Sequence, residues 1–520
     1  MGTVGQALVQ GLAARGVSVV FGIPGVHTIA LYRGLPGSGI RHVTARHEQG
    51  AAFMADGYAR VSGRPGVAFV ITGPGLTNAL TAMAQARADS VPMLVISGVN
   101  GRASLGQGLG LLHELPDQAG LVAALCPSFL VTGPDALDRC LNLAFAAMLA
   151  GRPGPAHIAV PTDVMPLPAL PPGPVLTPTP PLPDPAAITV AARRLIAAQR
   201  PVILAGGGAR GAGSQLQDLA ARLDAPVILT VNARGLMHGH ALAVPASPSL
   251  GPVRDLIRAA DQVLAVGTEL GPTDYDMYGR GGVPDLAGMI RVDICADQLA
   301  RHRCAIGIRS DAVAALAALA PLIPARRGTG APRASAARTA ARAALDPPMP
   351  AQLDMVEAIR AALPGAIIVG DSTQPVYAAN LYYDHDRPGG WFNASTGYGA
   401  LGYAPGAAVG AALAAPGVPV ICLIGDGGLQ FSPGELRTAR DEHLPISFVV
   451  WNNAGFREIA ESMTAAGAPA IGCDLSPLRL EPFAAACDLP FASIAADPAA
   501  LARALQRPTD GPRLIEIRVP

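Results

Sequence analysis

The sequence predicts an α/β protein with three doubly wound parallel-sheet domains. Short apolar runs rich in β-branched residues, such as 419–424 and 446–451, alternate with helical patterns along the chain. Continuous apolar runs are typical of strands that are covered on both faces of a parallel sheet. The chain has 520 residues, which suits three domains of ordinary size.

Two stretches of biased composition separate the predicted domains. The first domain covers residues 1–165 and is followed by a proline-rich stretch at 166–185. The second domain covers residues 186–323, and the third covers 350–520. The stretch between the second and third domains is rich in Ala, Arg and Pro. Because proline favours extended backbone, we expect both stretches to be linkers.

In the first domain, strands are predicted at residues 40–43 and at the apolar run 67–71. A helix is predicted to start near Glu48, because an acidic residue is favoured in the first turn of a helix. A glycine-rich turn, Gly73-Pro74-Gly75, follows the strand at 67–71.

In the second domain, the predicted strand 201–205 is followed by Gly206-Gly207-Gly208-Ala209-Arg210-Gly211. This segment satisfies the G-x-G-x-x-G pattern of dinucleotide-binding turns. The pattern alone is a weak signal, because a glycine-rich turn after a strand also occurs without any nucleotide. A bound nucleotide therefore stays an open alternative that we do not favour.

In the third domain, the strand 419–424 is followed by Gly425-Asp426-Gly427-Gly428, and the strand 446–451 by Asn452-Asn453. Between them, Ser432, Pro433 and Glu435 predict a helix with Ser432 as its N-cap. A right-handed crossover makes the two strands parallel, so Asp426 and Asn453 lie at carboxyl ends, where open sheets bind ligands. Two oxygen ligands beside a glycine-rich turn suit Mg²⁺ that carries a diphosphate.

The composition excludes several classes of function. The 38 basic and 38 acidic residues cancel, which argues against a nucleic-acid partner. The chain contains no lysine, which excludes a lysine Schiff base, PLP chemistry and a P-loop lysine. Seven scattered cysteines without metal-ligand spacing predict reduced residues of a cytoplasmic protein.

No membrane segment is predicted. The N-terminus lacks the charged and apolar regions of a secretory signal. Residues 65–86 and 394–425 carry no charge, but glycine and proline interrupt both of them. We therefore interpret each as a buried helix plus a buried strand.

The Gly-Asp-Gly and Asn-Asn motifs together resemble the signature of the thiamine diphosphate-dependent enzyme family. An ordinary turn followed by an ordinary strand end is the alternative interpretation. The resemblance implies that Asp426, Asn453 and the carbonyl of Gly455 bind Mg²⁺. It makes the third domain the diphosphate-binding domain and the first the pyrimidine-binding domain. The resemblance also implies that the turn residues Gly425, Gly427 and Gly428 contact the diphosphate.

Other segments carry the same resemblance. It implies that Glu48 contacts a ring nitrogen of the aminopyrimidine and that Gly73 and Asn78 lie against the cofactor. The carbonyl of Gly399 would accept a hydrogen bond from the amino group, and Leu401 would hold the cofactor bent. Acetolactate synthases often place Met at the position of Leu401.

Three further segments, 22–28, 112–118 and 370–375, most resemble the 5-guanidino-2-oxopentanoate decarboxylases, which are close to the acetolactate synthases. Short polar residues at a strand-to-helix turn can bind phosphate. The residues expected at the cofactor from these segments are Pro24, Gly25, Ser372, Thr373 and Gln374.

His113 and His27 are the candidates for proton transfer, because imidazole titrates near neutral pH. A loop histidine at the surface is the alternative for each. Pyruvate decarboxylases have a pair of neighbouring histidines at this place, and only one of the pair, His113, is present here. They also have a catalytic Glu at the position that Ile459 occupies in this chain. Acetolactate synthases usually show Phe-Gln-Glu where this chain has Leu-His-Glu at 112–114.

The implied function is non-oxidative decarboxylation of a 2-oxo acid through an enamine, with 5-guanidino-2-oxopentanoate as one candidate substrate. An acetolactate synthase-like carboligase is the alternative. A guanidinium tail requires a carboxylate, and Glu114, Asp117, Glu458 and Glu461 remain open. The resemblance also implies a homodimer or homotetramer with active sites between chains. Some acetolactate synthases hold FAD in the central domain, and FAD stays a cofactor that we do not favour.

Overall fold

The computed structural model describes residues 2–277, 279 and 283–519. The chain forms three α/β domains, each with a six-stranded sheet. Every neighbouring pair of strands within these three sheets is parallel. The predicted fold class is therefore confirmed.

The N-terminal sheet has the strand order β3-β2-β4-β5-β7-β6, and one hydrophobic core covers each of its faces. A small antiparallel pair, β1 with β8, lies apart from it. The strands are β1 (Gly2–Thr3), β2 (Val19–Gly22), β3 (Arg41–Thr44), β4 (Gly66–Val70), β5 (Met93–Val99), β6 (Ser128–Leu130), β7 (Pro155–Pro161) and β8 (Pro168–Ala169). The helices are α1 (Val4–Ala14), α2 (Ile29–Tyr32), α3 (Glu48–Ser62), α4 (Pro74–Ala88), α5 (Gln118–Ala123) and α6 (Leu137–Leu149).

The central sheet has the order β11-β10-β9-β12-β13-β14. Counted along the domain this is 3-2-1-4-5-6, the order of dinucleotide-binding sheets. The strands are β9 (Pro201–Ala205), β10 (Val227–Leu229), β11 (Ala243–Val244), β12 (Gln262–Val266), β13 (Ile290–Asp293) and β14 (Ile306–Arg309). The helices are α7 (Pro185–Ala197), α8 (Gly213–Leu223), α9 (Gly251–Arg258), α10 (Pro272–Tyr275), α11 (Ala296–Arg301) and α12 (Ala312–Leu319).

The C-terminal sheet has the order β16-β15-β17-β18-β20-β19. Its strands are β15 (Ile367–Gly370), β16 (Trp391–Asn393), β17 (Val420–Gly425), β18 (Ile446–Asn452), β19 (Phe491–Ala495) and β20 (Arg513–Arg518). The helices that follow α12 are α13 (Gly330–Ala343), α14 (Met349–Ala362), α15 (Gln374–Leu381), α16 (Tyr403–Ala414), α17 (Asp426–Leu429), α18 (Glu435–Asp441), α19 (Arg457–Ala465), α20 (Leu480–Ala486) and α21 (Pro498–Leu505).

The two predicted linkers differ from expectation. The first contains β8 at its start and ends where Asp184 caps α7, and most of the residues between them lie outside helices and strands. The second is largely helical rather than extended. Ala334, Ala337 and Ala341 are buried in α13 and pack in one core with Val253 of the central domain. Their spacing forms the apolar stripe of a surface helix.

Helices α3 and α16 join the N-terminal and C-terminal domains of one chain by a close crossing. A Cβ atom added to Gly410 would lie 1.9 Å from the carbonyl oxygen of Met54. One added to Gly57 would lie 2.0 Å from the carbonyl oxygen of Ala407. The two backbones approach closely because these positions have no side chain. The crossing fixes the start of α3 relative to the segment before α16.

The remaining expectations concern membranes and cysteines. Within the part of the chain that the structure describes, no helix combines the length and apolarity needed to cross a membrane. All seven cysteines are free. Five of them are buried, whereas Cys295 and Cys304 are partly exposed.

Candidate active site

The polar residues of the two C-terminal motifs meet at one edge of the sheet. β17 and β18 are parallel neighbours, and Gly425 lies opposite Trp451 in their register. Asp426 follows β17 directly, and Asn453 follows β18. Both side chains are buried, at 3% and 7% exposure. The crossover prediction for this unit is confirmed, and it brings the two predicted metal ligands together.

Three groups meet at this edge, and one of them, Asp426 Oδ1, accepts from the backbone N–H of Asn453 at 3.3 Å. The side-chain oxygen of Asn453 lies 3.2 Å from Asp426 Oδ1 and 2.9 Å from the carbonyl oxygen of Gly455. In this orientation Asn453 Nδ2 donates to Gln374 Oε1 at 3.2 Å. Turning the amide over would let Nδ2 donate to the other two oxygens, but would set Oδ1 against Gln374 Oε1.

A small divalent cation fits this arrangement. Octahedral Mg²⁺ holds oxygens at about 2.1 Å, which sets adjacent ligand oxygens about 3.0 Å apart. Burial raises the pKa of Asp426, and backbone hydrogen bonds from Asn453 and Gly455 oppose that effect. A cation between the three oxygens would keep the carboxylate ionised. Asp426, Asn453 and Gly455 therefore fit a magnesium site as donors.

Close contacts leave little room for side chains at the glycines of this turn. A Cβ atom on Gly427 would lie 2.6 Å from the ring of Phe456. One on Gly428 would lie 3.0 Å from Asp371 Oδ1, and one on Gly425 3.2 Å from Thr373 Oγ1. The turn therefore presents bare backbone, as binding of a diphosphate requires.

The predicted diphosphate residues of the 370–375 segment surround the same edge. Gln374 Oε1 accepts from Asn453 Nδ2 and also from Trp451 Nε1, at 3.1 Å. Thr373 occupies the N-cap position of α15 without a side-chain capping bond. Ser372 Oγ lies 3.1 Å from Ser395 Oγ. Only Gln374 is bonded directly to a predicted metal ligand.

Asp371 is a site residue that sequence reasoning missed. It is fully buried and accepts hydrogen bonds from the backbone of Ser372, Gly402 and Ala404. Burial raises its pKa to about 6, against the effect of these bonds. It ties the end of β15 to the segment before α16. A charged residue at the end of an apolar run was the available signal.

The segment with Gly399 and Leu401 is held by contacts at both ends. Gly399 is exposed and has a φ of +77°, which favours glycine. The backbone N–H of Ala400 donates to Gln85 Oε1 at 3.3 Å, and Thr396 Oγ1 donates to Asp89 Oδ2 at 3.0 Å. Leu401 is half-buried.

The predicted capping by Ser432 is wrong. Helix α18 begins at Glu435 with Gly434 as N-cap, and Ser432 Oγ donates to the carbonyl oxygen of Gly402 at 2.7 Å. Glu435 is buried and accepts from the backbone N–H groups of Arg46 and His47. The capping pattern was overridden by these contacts with the N-terminal domain, which are distant in sequence.

The N-terminal domain carries the other predicted residues. Glu48 is the first residue of α3, as predicted, and is half-buried. Asn78 Nδ2 donates to Glu48 Oε2 at 3.0 Å. Gly73 precedes α4 with a φ of +64°, and a Cβ atom there would lie 2.5 Å from the carbonyl oxygen of His113. The structure therefore brings Glu48, Asn78, Gly73 and His113 to one side of this domain.

The two candidate histidines form a pair. The ring centroids of His27 and His113 lie 5.2 Å apart, with the rings nearly perpendicular. Nδ1 of each ring is buried and has no hydrogen-bond partner in the described structure. Desolvation lowers the pKa of His27, and the charge on His113 lowers it further. A neutral His27 can accept a proton near pH 7.

Pro24 and Gly25 lie between β2 and this pair. Gly25 packs so closely on Ile71 that a Cβ atom would lie 2.4 Å from its Cδ1. The N–H of Gly25 donates to Thr28 Oγ1 at 3.1 Å, which fixes the turn before His27.

The two groups of residues form separate halves in one chain. Across the described residues, no hydrogen bond or ion pair joins Glu48, His27 or His113 to the Asp426 turn. Large apolar side chains are exposed on both sides. In the N-terminal domain they include Val26 at 65% and Leu112 at 63% exposure, and in the C-terminal domain Tyr398 at 58%, Ile459 at 52% and Ile471 at 73%.

The four candidate carboxylates for a cationic tail differ in their contacts. Glu114 accepts from the backbone N–H groups of Leu109 and Leu111, which lowers its pKa, and Asp117 caps α5. Within the described ranges, the carboxylates of Glu458 and Glu461 have no hydrogen-bond or ion-pair partner. Burial, and then the charge on Glu461, raises the pKa of Glu458.

A cavity of about 700 Å³ lies between the N-terminal and central domains, beside the Gly206 turn. A Cβ atom on Gly206 would lie 2.3 Å from the carbonyl oxygen of Gly267, and one on Gly208 would lie 2.9 Å from Gly267 Cα. The approach of two backbone turns therefore explains these glycines without a nucleotide.

Comparison with known proteins connects these features. The chain matches three family models: "Thiamine pyrophosphate enzyme, N-terminal TPP binding domain" at residues 2–121, the "central domain" of the same family at 188–319, and its "C-terminal TPP binding domain" at 371–517. The first and third matches contain the two halves described above.

Individual relatives cover most of the chain. A protein of Pseudomonas aeruginosa named "Probable 2-ketoarginine decarboxylase AruI" is 44% identical over 92% of this chain and 86% of its own length. "Acetolactate synthase isozyme 1 large subunit" of Escherichia coli is 29% identical over 99% of this chain and 93% of its own length. "Acetolactate synthase large subunit IlvB1" of Mycobacterium tuberculosis is 32% identical over 86% of this chain and 75% of its own length.

Proposed function

The chain belongs to the thiamine pyrophosphate enzyme family, and from this premise we propose that it catalyses the non-oxidative decarboxylation of a 2-oxo acid with thiamine diphosphate and Mg²⁺. The observation that carries the proposal is that the side chains of Asp426 and Asn453 and the carbonyl group of Gly455 meet at the edge of the C-terminal sheet. When bound, thiamine diphosphate supplies a nucleophilic carbon and accepts the electron pair released with CO₂.

In this proposal, the C-terminal half binds the metal and orients the cofactor. Asp426, Asn453 and Gly455 would hold the metal, and Gln374 keeps the Asn453 amide turned so that its oxygen faces the metal position. The bare turn at 425–428 and the N-terminus of α15 would receive the diphosphate. Gly399 and Leu401 would support the pyrimidine.

The N-terminal half handles protons. Glu48 is half-buried, and its described partner is the neutral amide of Asn78, so its carboxyl group is free to hold a proton at a ring nitrogen. His27 and His113 would move protons to and from the reacting carbonyl compound, because their Nδ1 atoms are unpaired. The exposed leucines around His113 would exclude water once they are covered.

A second copy of the chain would complete each site. Across the described residues of one chain, no hydrogen bond or ion pair joins the proton-handling and metal-holding halves, and each half is flanked by exposed apolar side chains. Exposed apolar surface of this kind marks a protein–protein interface. We therefore place the active sites between chains of a homodimer or a larger assembly of such dimers.

The substrate tail is proposed to be cationic. The P. aeruginosa relative is named as a 2-ketoarginine decarboxylase, and a guanidinium group requires a carboxylate partner. Glu114 and Asp117 are engaged locally, whereas Glu458 and Glu461 are free on α19, directly after the metal turn. We assign the tail contact to Glu458, assisted by Glu461.

A Glu458→Gln variant tests this assignment. We expect KM for 5-guanidino-2-oxopentanoate to rise about tenfold to a hundredfold, because a charge-assisted hydrogen bond contributes about 1.5–3 kcal/mol. KM for a neutral 2-oxo acid should stay within twofold. Glu481→Gln is a matched control, since Glu481 also lies in the first turn of a helix in this domain. Equal changes for both substrates would contradict the assignment.

The reaction itself is tested with a panel of 2-oxo acids, assayed for CO₂ release with added Mg²⁺ and thiamine diphosphate. We expect release to be strongest for acids with a cationic tail. A flat response across the panel would overturn the decarboxylase proposal and leave the fold unaffected.

A carboligase of the acetolactate synthase type is the second candidate, because acetolactate synthases match this chain over most of its length. Incubation with pyruvate alone separates the two activities. Acetolactate without free aldehyde would support the carboligase, whereas aldehyde with CO₂ would support the decarboxylase.

A further inference from the structure

We propose that Gln118 is a positioning residue that sets the place of His113 relative to His27 and the glycine turn at Gly73. The proposal rests on the proton-transfer role proposed above for the two histidines. Gln118 is the first residue of α5, five positions after His113, and only 5% exposed. Sequence reasoning assigned it no role.

The amide of Gln118 joins three separate segments. Its Nε2 donates to Ser97 Oγ at 3.0 Å and to the carbonyl oxygen of Gly98 at 2.9 Å. Its Oε1 accepts from the backbone N–H of Gly73 at 3.4 Å. Both donor positions and one acceptor position are used, so the buried amide is held in one orientation.

These segments lie directly behind the two histidines. The Cα of Gly73 packs on the backbone of His113, where a Cβ atom would lie 2.5 Å from the carbonyl oxygen. A Cβ atom on Gly98 would lie 3.2 Å from the carbonyl oxygen of His27. Movement of the Gln118 amide would therefore change the 5.2 Å separation of the imidazole rings.

The network continues into the sheet through a neutral histidine. Ser97 Oγ lies 2.8 Å from His157 Nε2, and Ser128 Oγ lies 2.8 Å from His157 Nδ1. His157 is fully buried, and burial lowers its pKa to about 3. It therefore anchors Ser97 to β6 and β7 without introducing a charge beside the site.

The loop depends on such polar anchors because its apolar residues do not hold it. Leu109, Leu111 and Leu112 are 62%, 41% and 63% exposed. His113 has a φ of +61°, which is uncommon for a residue other than glycine. On its other side, Asn100 Nδ2 donates to the carbonyl oxygen of Leu112 at 3.1 Å. Asn100 and Gln118 thus hold the strained residue from both directions.

Gln118→Glu is the most informative variant. Ionised glutamate keeps the acceptor but loses both donors and faces the Gly98 carbonyl, whereas protonated glutamate can still donate once. We expect kcat close to wild type at low pH and about tenfold to a hundredfold lower at high pH, with KM changed less than threefold. His157 is another titratable group near this position. The remaining ones lie in the same loop or opposite it: Asp117, Glu114, His113 and His27.

Gln262→Glu is the matched control. Gln262 is 6% exposed and its Nε2 also donates to two carbonyl oxygens, those of Val263 and Gly288, but it lies in the central domain. We expect it to lower stability without changing the pH profile of kcat. If both variants changed the profile alike, or Gln118→Glu kept the wild-type profile, the proposal would be wrong.

Hydrogen exchange of the resting protein gives a readout that needs no substrate. In Gln118→Ala, segments 71–78 and 105–117 should both exchange faster, and in Gln262→Ala neither should. Unchanged exchange in both segments overturns the proposal whatever the substrate is. Faster exchange in Gln118→Ala, combined with a wild type that decarboxylates no acid, would support Gln118 as the anchor and overturn only the proposed catalysis.

Discussion

At the residue scale, Glu48 combines partial burial with a described contact to one neutral amide, that of Asn78. No arginine is paired with its carboxyl group in the described structure. The carboxyl group can therefore share a proton with a ring nitrogen rather than remain a permanent counterion. The amide of Asn78 binds one oxygen of this carboxyl group, and the other has no partner in the described structure.

Replacement of Glu48 by Gln should lower kcat by about 10²- to 10⁴-fold, because positioned acid–base groups contribute that much. The affinity for thiamine diphosphate should change far less, since the metal half is untouched. Steady-state kinetics and cofactor titration measure the two effects. A variant with unchanged product formation would show that Glu48 does not have this role.

Local patterns were sufficient to predict Asp426 and Asn453 as candidate site residues, because each directly follows a strongly apolar strand pattern. Glu48 was predicted as a site residue only through the family resemblance. Gln118 and Asp371 were not assigned, because their roles depend on partners such as Gly73 and Ala404 that are distant in sequence. A sequence pattern shows the residue type but not the partners that its side chain contacts in the fold.

At the element scale, the crossing of α3 and α16 positions the start of α3 against the C-terminal domain. Gly410 meets the Met54 carbonyl, and Gly57 meets the Ala407 carbonyl. A methyl group at either position would contact backbone rather than a movable side chain. The helices could accommodate it only by separating.

Gly410→Ala should therefore destabilise the protein by about 1–3 kcal/mol, the usual cost of overpacking, and should lower activity by moving Glu48. Thermal unfolding and the kcat of the folded variant measure these effects. Gly251→Ala is the control, because Gly251 starts α9 and has open space around its Cα. Similar melting temperatures for the two variants would contradict the packing argument.

Element types were predictable where the apolar run was long, as in β17 and β18. The helix α13 was missed because its composition, rich in Ala, Arg and Pro, was interpreted as a linker. Its buried alanines pack on α9, and their spacing was visible in the sequence. The predicted N-cap of α18 was wrong, because Ser432 Oγ donates to the carbonyl oxygen of Gly402 instead of capping the helix.

At the scale of the whole molecule, one buried carboxylate links all three domains. Asp89 accepts from Arg60 of its own domain, Asn232 of the central domain and Thr396 of the C-terminal domain. Arg60 also pairs with buried Asp56, whose carboxylate accepts from the hydroxyl of Tyr403. None of these pairings could be read from the sequence, since each joins elements whose relative placement is set by packing.

Buried His385 gives the stability of the molecule an acid dependence. It is 1% exposed, and burial lowers its pKa to about 4 from an ordinary value of 6.5. Between these values the unfolded chain binds more protons than the folded one, so stability is full above pH 6.5 and falls toward pH 4. Asp371 and Asp274, with pKa values raised to about 6, act in the opposite direction as pH rises from about 4 to 6.

The wild type should therefore lose more stability than His385→Gln as pH falls from 7 to 4, by up to about 1.4 kcal/mol per pH unit. Comparing the two proteins removes the opposing contribution of the aspartates, which both share. Melting temperatures at fixed scan rate measure the difference. If the melting temperatures of the two proteins fell equally with pH, His385 would not be a neutral, buried group.

Mixing two inactive variants tests whether sites form between chains. If Glu48 and Asp426 of one site come from different chains, a hybrid of Glu48→Gln and Asp426→Asn contains one intact site. Decarboxylase activity should then appear after the two proteins are unfolded together and refolded. Continued inactivity of a verified hybrid would place both residues of a site in the same chain.

The most direct measurement is the titration of thiamine diphosphate with and without Mg²⁺, followed by tryptophan fluorescence in a Trp391→Phe background. Trp451 is then the single tryptophan, and its indole donates to the same Gln374 oxygen as Asn453. We predict saturable quenching of Trp451 fluorescence that requires Mg²⁺. In Asp426→Asn, the affinity for thiamine diphosphate should fall by about tenfold to a hundredfold. Equal binding with and without Mg²⁺, or equal binding by the Asp426→Asn protein, would contradict the account.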